Sequence, residues 1–343
     1  FFHQIFSLNS IPVATIGTLG IKTQKTKKSN LTSLDVISLH KELSALKEKK
    51  IENVLLEASS HGLSQGRVNG IDLKAGIFTN LTQDHLDYHK SMQNYFQAKL
   101  ILFKKILKKN SYLILDKTIP QKRILENISR KRRLKKIYIN SLLKKYDLSD
   151  FKLIGNFQLK NLLMAIKACE ILGLSENKIS KCISKLKSVK GRLELVKNFS
   201  DNTKVFIDFA HTPDAITNAI NTLKEYFKTD VTIVFGCGGE RDKDKRKKIG
   251  KIVNKLCNKI YITDDNPRRE KPEKIRKEII KQINKQKFFE IGNRANAIRT
   301  AIKNSNPNEV ILIAGKGHED FQDYGIKKIK ISDFEIVKNF KIK

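Results

Sequence analysis

Short apolar runs alternate with longer amphipathic stretches along the chain. The runs are rich in β-branched residues and are followed by Gly, Asp, Asn or Ser, a pattern typical of buried strands. We predict seven such strands: VLLEAS (54–59), AGIFTN (75–80), SYLILD (111–116), KVFIDFA (204–210), VTIVFG (231–236), KIYITDD (259–265) and VILIAG (310–315).

The intervening stretches have helical periodicity. Helices are predicted within 33–50 and 214–228, and two more within 156–189. Alternation of strands and helices predicts an α/β protein with parallel sheets, in which ligands bind at the carboxyl ends of the strands. A boundary near KSVKGRLELV (187–196) predicts two α/β domains, 1–190 and 191–343.

Composition narrows the class of protein. With 40% hydrophobic and 30% charged residues, the 343-residue chain has the make-up of a soluble globular protein. No run of about 18 apolar residues occurs, so no membrane span is expected, and the apolar first 20 residues lack the basic leader of a signal peptide. Four irregularly spaced cysteines favour a reducing cytoplasm without disulfides or a zinc site.

The net charge of +33 suggests nucleic acid as a partner at first sight. However, the basic residues are spread along the chain, and the one dense stretch, 128–145, lacks the interleaved aromatics of a single-strand binder. Codon bias toward Lys on solvated surfaces is the simpler explanation. A cytoplasmic enzyme with anionic substrates would tolerate that bias, and we expect neither nucleic acid nor a membrane as partner.

Polar clusters follow the predicted strands. Five of the seven histidines, at positions 61, 85, 89, 211 and 318, lie in such clusters, which favours a site over scattered structural histidines. Glu57 ends one strand and is a candidate Mg²⁺ ligand, because Mg²⁺ prefers hard oxygen donors. An exposed strand-end carboxylate is the alternative for Glu57, and helix capping is the alternative role of Ser59 and Ser60.

Three loops of the second predicted domain suit an amino-acid substrate. Gly236, Gly238 and Gly239 precede Arg241, a pattern that suits an anion, although an ordinary tight turn would explain it equally well. Arg268 follows an Asx–Pro turn in TDDNPRRE, and Gly315, Lys316, His318 and Glu319 follow the last strand. Arginine for a carboxylate and an acid for an ammonium make up the set that a zwitterion requires.

Lys99 lies between Phe96 and Phe103 on an apolar helix. From the pattern alone, its side chain is expected to extend along the apolar surface and reach solvent with its charged end.

Eight motifs occur in one order: EASSHGL, FTNLTQDHLDYH, YFQAK, GRLE, DFAHTPDA, FGCGGERDKDKR, DDNPR and AGKGHE. In this order the chain resembles the Mur ligases, and among them the MurE type, over nearly its whole length. The resemblance implies a central ATPase domain, here 1–190, and a Rossmann-like carboxyl-terminal domain, here 191–343. The family's small amino-terminal domain and Walker-type loop have no counterpart, so we expect the sequence to be an amino-terminally truncated form.

The resemblance also implies roles for individual residues. Lys99 matches a lysine that becomes a carbamate, and with it Glu57 and His85 match the surroundings of Mg²⁺, where all three would be catalytic. Contacts to the UDP-linked substrate are implied for Thr32, Ser33, Ser59, Gln65 and Arg67. Nucleotide contacts are implied for Asn156, Arg192, Asp208 and His211. The amino-acid pocket is implied for Arg241, Asp265, Asn266, Pro267, Arg268, Gly315 and Glu319.

The implied activity is ATP-dependent ligation of meso-2,6-diaminopimelate to UDP-N-acetylmuramoyl-L-alanyl-D-glutamate, with Mg²⁺ as cofactor. It belongs to peptidoglycan biosynthesis in the cytoplasm, and we expect a monomer. The alternatives within the family are an L-lysine-adding ligase and a relative of folylpolyglutamate synthase. Outside it stand an inactive fragment and a basic nucleic-acid-binding α/β protein. Without the phosphate-binding loop, we expect no ATP hydrolysis by these 343 residues alone.

Overall fold

The computed structural model describes residues 1–27 and 31–341; residues 28–30 and the last two of the predicted second domain, 342–343, lie outside the described part. The chain forms two compact units. The first comprises Phe1–Leu81 and His89–Lys187, and the second comprises Thr82–Tyr88 and Ser188–Lys343. The segment 82–88 therefore packs with residues that follow it by more than 100 positions. The roles given to the two predicted domains stay predictions.

The first unit alternates strands and helices. Its strands are β1 (Val13–Gly17), β2 (Gly20–Lys22), β3 (Thr26–Lys27), β4 (Asn53–Leu56), β5 (Ala75–Phe78), β6 (Tyr112–Leu115) and β7 (Lys135–Tyr138). Its helices are α1 (Phe2–Leu8), α2 (Val36–Glu48), α3 (Ser60–Ser64), α5 (Met92–Ile101), α6 (Lys122–Arg132), α7 (Asn156–Ile171) and α8 (Glu176–Ile183). A wider π-helical turn, Leu102–Ile106, follows α5, a 3₁₀ helix spans Ile139–Lys144, and the short helix α4 (Leu86–His89) begins within the segment 82–88.

These strands form two sheets. One has the order β3-β2-β1-β4, in which β4 pairs parallel to β1 while β2 and β3 are antiparallel. The other, β5-β6-β7, is parallel throughout. Apolar side chains of α1, α7 and α8 form one core cluster, and a second lies around α5, its π-turn and α6. Burial of these side chains is what stabilises the unit.

The second unit has the strands β8 (Glu194–Asn198), β9 (Lys204–Asp208), β10 (Val231–Phe235), β11 (Ile260–Ile262), β12 (Phe288–Glu290), β13 (Val310–Ala314), β14 (Phe321–Asp323) and β15 (Lys328–Lys330). Its helices are α9 (Pro213–Phe227), α10 (Asp244–Leu256), α11 (Pro272–Ile280), α12 (Arg294–Lys303) and α13 (Asp333–Asn339), with a 3₁₀ turn at Lys285–Lys287.

A six-stranded sheet of order β12-β11-β10-β13-β9-β8 forms the centre of this unit. All neighbours pair parallel except β8 and β9, which are antiparallel. The remaining pair, β14 and β15, makes an antiparallel ribbon. Every residue of β10, β11 and β13 is buried, because helices cover both faces of a parallel sheet.

The prediction of an α/β fold with parallel sheets is confirmed, and all seven predicted strands are present in slightly shorter form. The sheet of β1 and the sheet of β9 also carry antiparallel members. One part of the prediction was wrong. Strand β4 was predicted to be buried, but its four residues are only half-buried. The strand β4 lies at the edge of its sheet, where it pairs with β1 on one side.

Candidate active site

The carboxyl end of β4 presents Glu57. Its backbone N–H continues the parallel pairing by donating to Ile16 O at 2.8 Å. Its side-chain Oε2 accepts hydrogen bonds from Thr18 N at 2.7 Å and Thr18 Oγ1 at 2.8 Å. A Cβ on Gly17 would lie 2.5 Å from this oxygen and 2.9 Å from Glu57 Cβ, so a larger residue there would displace the Glu57 side chain. Glu57 is exposed as the sequence alternative had it, but its carboxylate is held in a defined position.

The Ser33 side chain connects Glu57, at the end of β4, with Ser59, at the start of α3. The Ser33 hydroxyl is buried, lies 2.8 Å from Glu57 O and 3.0 Å from Ser59 Oγ, and accepts from Ser59 N at 2.9 Å. Ser59 in turn is the N-cap of α3, where its Oγ accepts from Gly62 N at 3.1 Å. The capping alternative therefore holds for Ser59. Both hydroxyls serve mainly to fix the loop.

Three further candidates belong to the same hydrogen-bonded group. Arg67 Nη1 donates to Ser33 O at 2.8 Å, and Arg67 Nη2 donates to Gln65 Oε1 at 2.5 Å. Thr32 Oγ1 lies 3.3 Å from Thr18 Oγ1. The structure thus brings together all five residues predicted to contact the UDP-linked substrate, beside Glu57. Gln65 is exposed and Arg67 half-buried, so these side chains can present polar atoms to a ligand.

Lys99 lies in an aromatic and histidine cluster of the first unit. Its Nζ is 5.1 Å from the centroid of the Tyr95 ring. The buried His89 stacks on the same Tyr95 ring, with 5.3 Å between the two ring centroids. Its Nε2 lies 2.9 Å from Ser60 Oγ. His61 is 5.3 Å from His89, centroid to centroid. Lys99 is half-buried, intermediate between the predicted solvent-reaching cation and a buried one.

The segment 82–88 supplies His85 to the second unit, where two histidines flank Asp84. The Asp84 Oδ2 is 3.5 Å from His85 Nε2 and 3.5 Å from His211 Nε2, and His211 Nδ1 lies 2.7 Å from Phe209 O. Burial alone would raise the pKa of Asp84, but hydrogen bonding and charge from His211 and His85 hold that pKa well below its usual range. Burial lowers the pKa of His85.

A neutral His85 keeps a lone pair available as a ligand or proton acceptor. His85 also has a left-handed backbone, with φ of 57°. Sequence reasoning assigned His85 and His211 to different tasks and missed Asp84, which links them. The signal was present, because Asp84 directly precedes His85 in the polar cluster after β5.

The residues predicted for the nucleotide divide between the units. In the second unit, the buried Asp208 carboxylate accepts from Leu193 N and Ala210 N, each at 2.6 Å, and burial raises its pKa despite the nearby Arg192. The Arg192 guanidinium carbon is 4.4 Å from the centroid of the Phe209 ring. Asn156 belongs to the first unit, where it is exposed at the first position of α7.

Two loops of the second unit carry the arginines predicted for the amino acid. Gly239 N donates to Asn266 O at 2.9 Å, and Arg268 Nη1 donates to Gly239 O at 2.7 Å. A Cβ on Gly239 would lie 1.9 Å from Pro267 O, so only glycine permits this approach. Arg268 is half-buried, whereas its neighbour Arg269 is exposed. Arg241 Nη1 lies 3.4 Å from Asp87 Oδ2, and its side chain is 47% exposed.

The loop after β13 adds a buried cation. Lys316 is 0% exposed, and its Nζ donates to Glu319 Oε2 at 2.8 Å and to Asn266 Oδ1 at 3.0 Å. Asn266 Nδ2 donates to the same Glu319 oxygen at 2.9 Å. Glu319, predicted to hold a substrate ammonium, therefore already has a protein ammonium on one oxygen. Gly315, at φ of 111°, passes close to Asp265, since a Cβ there would lie 2.6 Å from Asp265 Oδ2.

The predicted metal ligands are divided between the two units. Glu57 and Lys99 belong to the first unit and His85 to the second. Within residues 1–27 and 31–341, no group of three or more His, Cys, Asp or Glu side chains is placed to hold a metal ion. In the same described residues, no helix is long and apolar enough to cross a membrane.

Comparison with known proteins agrees with the motif order. Residues 1–149 match the Mur ligase middle domain, and residues 191–317 match the Mur ligase glutamate ligase domain. UDP-N-acetylmuramoyl-L-alanyl-D-glutamate–2,6-diaminopimelate ligase of Rickettsia conorii is 37% identical over 366 residues, covering 98% of this chain and 76% of the relative. The enzyme of the same name from Chelativorans sp. is 35% identical, covering 98% and 74%.

Solved structures give the same result. A structure of UDP-N-acetylmuramoyl-L-alanyl-D-glutamate–2,6-diaminopimelate ligase aligns with a TM-score of 0.62 and 27% identity, covering 98% of this chain and 74% of that one. A bifunctional folylpolyglutamate synthase/dihydrofolate synthase from Yersinia pestis aligns with a TM-score of 0.72 at 16% identity, covering 92% and 82%, and shares the fold alone. On the matched domains and on the identity to relatives along nearly its whole length, this chain belongs to the Mur ligase family.

Proposed function

We propose that this chain carries the catalytic domains of an ATP-dependent ligase that joins meso-2,6-diaminopimelate to UDP-N-acetylmuramoyl-L-alanyl-D-glutamate. Mur ligases use ATP to form amide bonds. Relatives at 37% identity are named for the joining of 2,6-diaminopimelate to this UDP-linked dipeptide. The observation that carries the choice of amino acid is the half-buried Arg268, whose loop is fastened to the glycine turn that precedes Arg241. The substrates place the reaction in the cytoplasm, within peptidoglycan biosynthesis.

The chemistry is acyl-phosphate ligation. The γ-phosphoryl group of ATP passes to the free carboxylate of the D-glutamyl residue, and ADP leaves. The amine of the incoming amino acid then attacks the acyl carbon. The tetrahedral species expels inorganic phosphate, and the amine loses a proton as the amide forms. The protein contributes mainly by positioning the reactants and by offsetting negative charge.

For the first unit, we assign the UDP-linked substrate to the hydrogen-bonded group around Ser33. Arg67 and Gln65 have polar atoms at the surface, and the N–H groups of a guanidinium and of a side-chain amide can donate to anionic or carbonyl oxygens. Ser33 and Ser59 use their hydroxyls within the protein and so hold this surface in place. Thr32, beside Thr18, extends the group toward Glu57.

The residues near Glu57 suit a magnesium ion in their chemistry. Glu57 offers a carboxylate that Thr18 already orients, and hard oxygen ligands are what Mg²⁺ selects. When bound, Mg²⁺ offsets charge on the transferring phosphoryl group. Carbamylation would give Lys99 two oxygens in place of an ammonium. In the second unit, His85, whose pKa is lowered by burial, offers a ring nitrogen as a donor. The nucleotide is assigned to Asn156, Arg192, Asp208 and His211 by their match to the family.

Charge decides between diaminopimelate and L-lysine. Diaminopimelate has one more carboxylate at the far end of its side chain, and a guanidinium pairs with a carboxylate through two hydrogen bonds. Arg268 uses Nη1 for Gly239 O and retains further N–H donors for such a pair. Lysine would leave this half-buried guanidinium unmatched, at a cost of roughly 1–3 kcal/mol or a ten- to few-hundredfold loss. Arg241 would hold a second carboxylate and Glu319 an ammonium.

A substrate-omission assay tests the reaction. It uses the protein with its complete natural sequence. We expect phosphate release and a product of the summed mass of both substrates less one water, only when ATP, the UDP-linked dipeptide and diaminopimelate are all present. Amide formation from L-glutamate and a folate instead would establish the rival synthase. Salt-dependent binding of RNA or DNA without any ligation would establish the nucleic-acid alternative.

A further inference from the structure

The loops that bear Arg241 and Arg268 are fastened together by a pair of buried charges. Helix α10 contributes Arg246, whose side chain is 0% exposed, and the second loop contributes Glu270, whose side chain is 16% exposed. Arg246 Nη1 donates to Glu270 Oε2 at 3.0 Å and Nη2 donates to Glu270 Oε1 at 2.9 Å. This two-point pairing fixes the direction as well as the distance between the partners.

Each partner also holds the backbone of the glycine turn. Arg246 Nη2 donates to Gly238 O at 3.1 Å, and Glu270 Oε1 accepts from Glu240 N at 2.6 Å. Glu240 is the residue directly before Arg241 and has a left-handed backbone, with φ of 52°. A residue other than glycine keeps such a conformation only when its surroundings impose it. The bond from Glu240 N to Glu270 supplies that constraint.

The second loop shows the same strain at the corresponding position. Arg268 has φ of 52°, its N donates to Asp323 O at 2.9 Å, and its guanidinium is bonded to Gly239 O. Glu270 N donates to Pro267 O at 3.1 Å and closes the turn around Arg268. Arg241 thus follows a residue with a strained backbone, and Arg268 itself has one. The two turns that carry these arginines are connected by Arg246 and Glu270.

We propose that Arg246 and Glu270 are positioning residues that set the spacing of Arg241 and Arg268 for the carboxylates of the incoming amino acid. A buried ion pair adds little net stability, because the lost hydration offsets the attraction, so geometry is the better account of this pair. The pair also keeps Glu270 engaged, which prevents this carboxylate from neutralising Arg268 in place of a substrate. The inference rests on the proposed function of the two loops as the amino-acid pocket.

The chain offers a matched control. Glu278 of α11 accepts from Arg246 Nη1 at 2.9 Å, so it touches the same guanidinium as Glu270, and its side chain is 26% exposed. Its bond to Arg246 reaches neither the glycine turn nor the loop 264–270. Glu270→Gln and Glu278→Gln each remove one charge beside Arg246. Only Glu270→Gln alters the connection between the loops.

The experiment measures steady-state kinetics of the full-length protein with the amino acid and ATP varied in turn. We expect Glu270→Gln and Arg246→Lys to raise KM for the amino acid by roughly ten- to a hundredfold, because displacement of substrate-holding groups by about 1 Å has effects of this order. KM for ATP should stay within about twofold, and Glu278→Gln should leave both constants within the same limit. Glu270→Asp, which keeps the charge, should recover part of the loss.

Three results would overturn the proposal: equal effects of Glu270→Gln and Glu278→Gln, parallel loss for ATP and amino acid, or no kinetic change in Glu270→Gln. Thermal unfolding of each variant separates a folding defect from a kinetic one. If Glu270→Gln does not fold, Glu270→Asp and Arg246→Lys carry the comparison with Glu278→Gln. The readout is KM for whichever amino acid the wild type accepts. A wild type that prefers lysine therefore contradicts the proposed substrate without deciding the role of Arg246.

Discussion

The two units hold their candidate sites in different ways. In the first, the loop after β4 is fixed by neutral hydroxyls, with Ser33 bonded to Glu57 O and Ser59 N. In the second, fully buried guanidinium groups hold the loops: Arg246 with Glu270, and Arg294 with Asp333. A neutral hydrogen bond contributes about 1 kcal/mol net, whereas an unpaired buried charge is far more costly. The second unit should therefore tolerate substitution less well.

The largest expected effect is at Asp333. Arg294 Nε and Nη2 donate to the two oxygens of Asp333 at 2.8 and 2.7 Å, and Nη2 also donates to Ala314 O, just before Gly315. Asp333→Ala would leave this guanidinium uncompensated, and we expect the second unit to lose about 3–5 kcal/mol of unfolding free energy.

Amide exchange in β13, next to Gly315, measures that loss. Asp333→Asn, which retains an acceptor of similar shape, should lose less. Equal stability of Asp333→Ala and wild type would remove the distinction between the two units.

Next in size is the effect of Lys99 on turnover. If Lys99 is carbamylated, Lys99→Ala removes an anion from the phosphoryl-transfer site, and turnover should fall on the order of 10²–10³-fold, as for loss of other charge-stabilising groups. Added short carboxylates should restore part of the rate.

Lys104→Ala is the control for Lys99→Ala, because Lys104 is exposed in the turn that follows the same helix and donates to Gln97 Oε1 at 2.8 Å. Full activity of Lys99→Ala at low CO₂ would exclude the carbamate.

Ser33→Ala tests the neutral network with a smaller expected effect. It leaves Ser59 N without its acceptor, so we expect a loss of about 1–3 kcal/mol in the first unit. Ser64→Ala is matched, since Ser64 is exposed and donates only within its own helix to Ser60 O; it should change stability by no more than about 0.5 kcal/mol. Urea unfolding followed by circular dichroism compares them. A loss for Ser33→Ala as large as that for Asp333→Ala would contradict the comparison.

The smallest expected effect is the change in stability of the second unit when the pH is lowered. The hydrogen bond and charge of Arg246 lower the pKa of Glu270 from 4.5 to about 2. A carboxyl whose folded pKa is depressed contributes stability above pH 4.5, and that contribution disappears as pH falls through its folded pKa near 2. Glu270→Gln should therefore flatten the stability of the second unit between these values. An unchanged slope in amide-exchange measurements would show that the pair is not linked to folding.

The success of strand prediction from the sequence depended on how strong the hydrophobic pattern of each strand is. Long β-branched runs predicted β9, β10, β11 and β13, which form the centre of the six-stranded sheet. Among the missed strands, β7 contains two exposed lysines, and β8 is an edge strand with two exposed residues and no buried one. In such segments, pairing with a neighbouring strand decides the conformation, and the local pattern carries little information.

For the sites, sequence reasoning found the loops but missed what fixes them. Arg246 lies in the Lys-rich helix α10 and Arg294 is the first residue of α12, and at both positions a cation is expected in solvent. Their spacing held the signal. Arg246 shares the buried face of α10 with Ile249, Gly250 and Val253, and Arg294 shares that of α12 with Ala297, Ile298 and Ala301. These are the i, i+3, i+4 and i+7 positions of an apolar stripe. The partners Glu270 and Asp333 could not be paired with them without the fold.

Competition between the two amino acids tests the central claim most directly. Full-length protein is given equal meso-diaminopimelate and L-lysine, and the products are separated by mass, for wild type, Arg268→Ala and the exposed neighbour Arg269→Ala. We predict that wild type and Arg269→Ala form the diaminopimelate product with a preference on the order of ten- to a few hundredfold, and that Arg268→Ala loses it. Equal products from the wild type, or an unchanged preference in Arg268→Ala, would contradict the account.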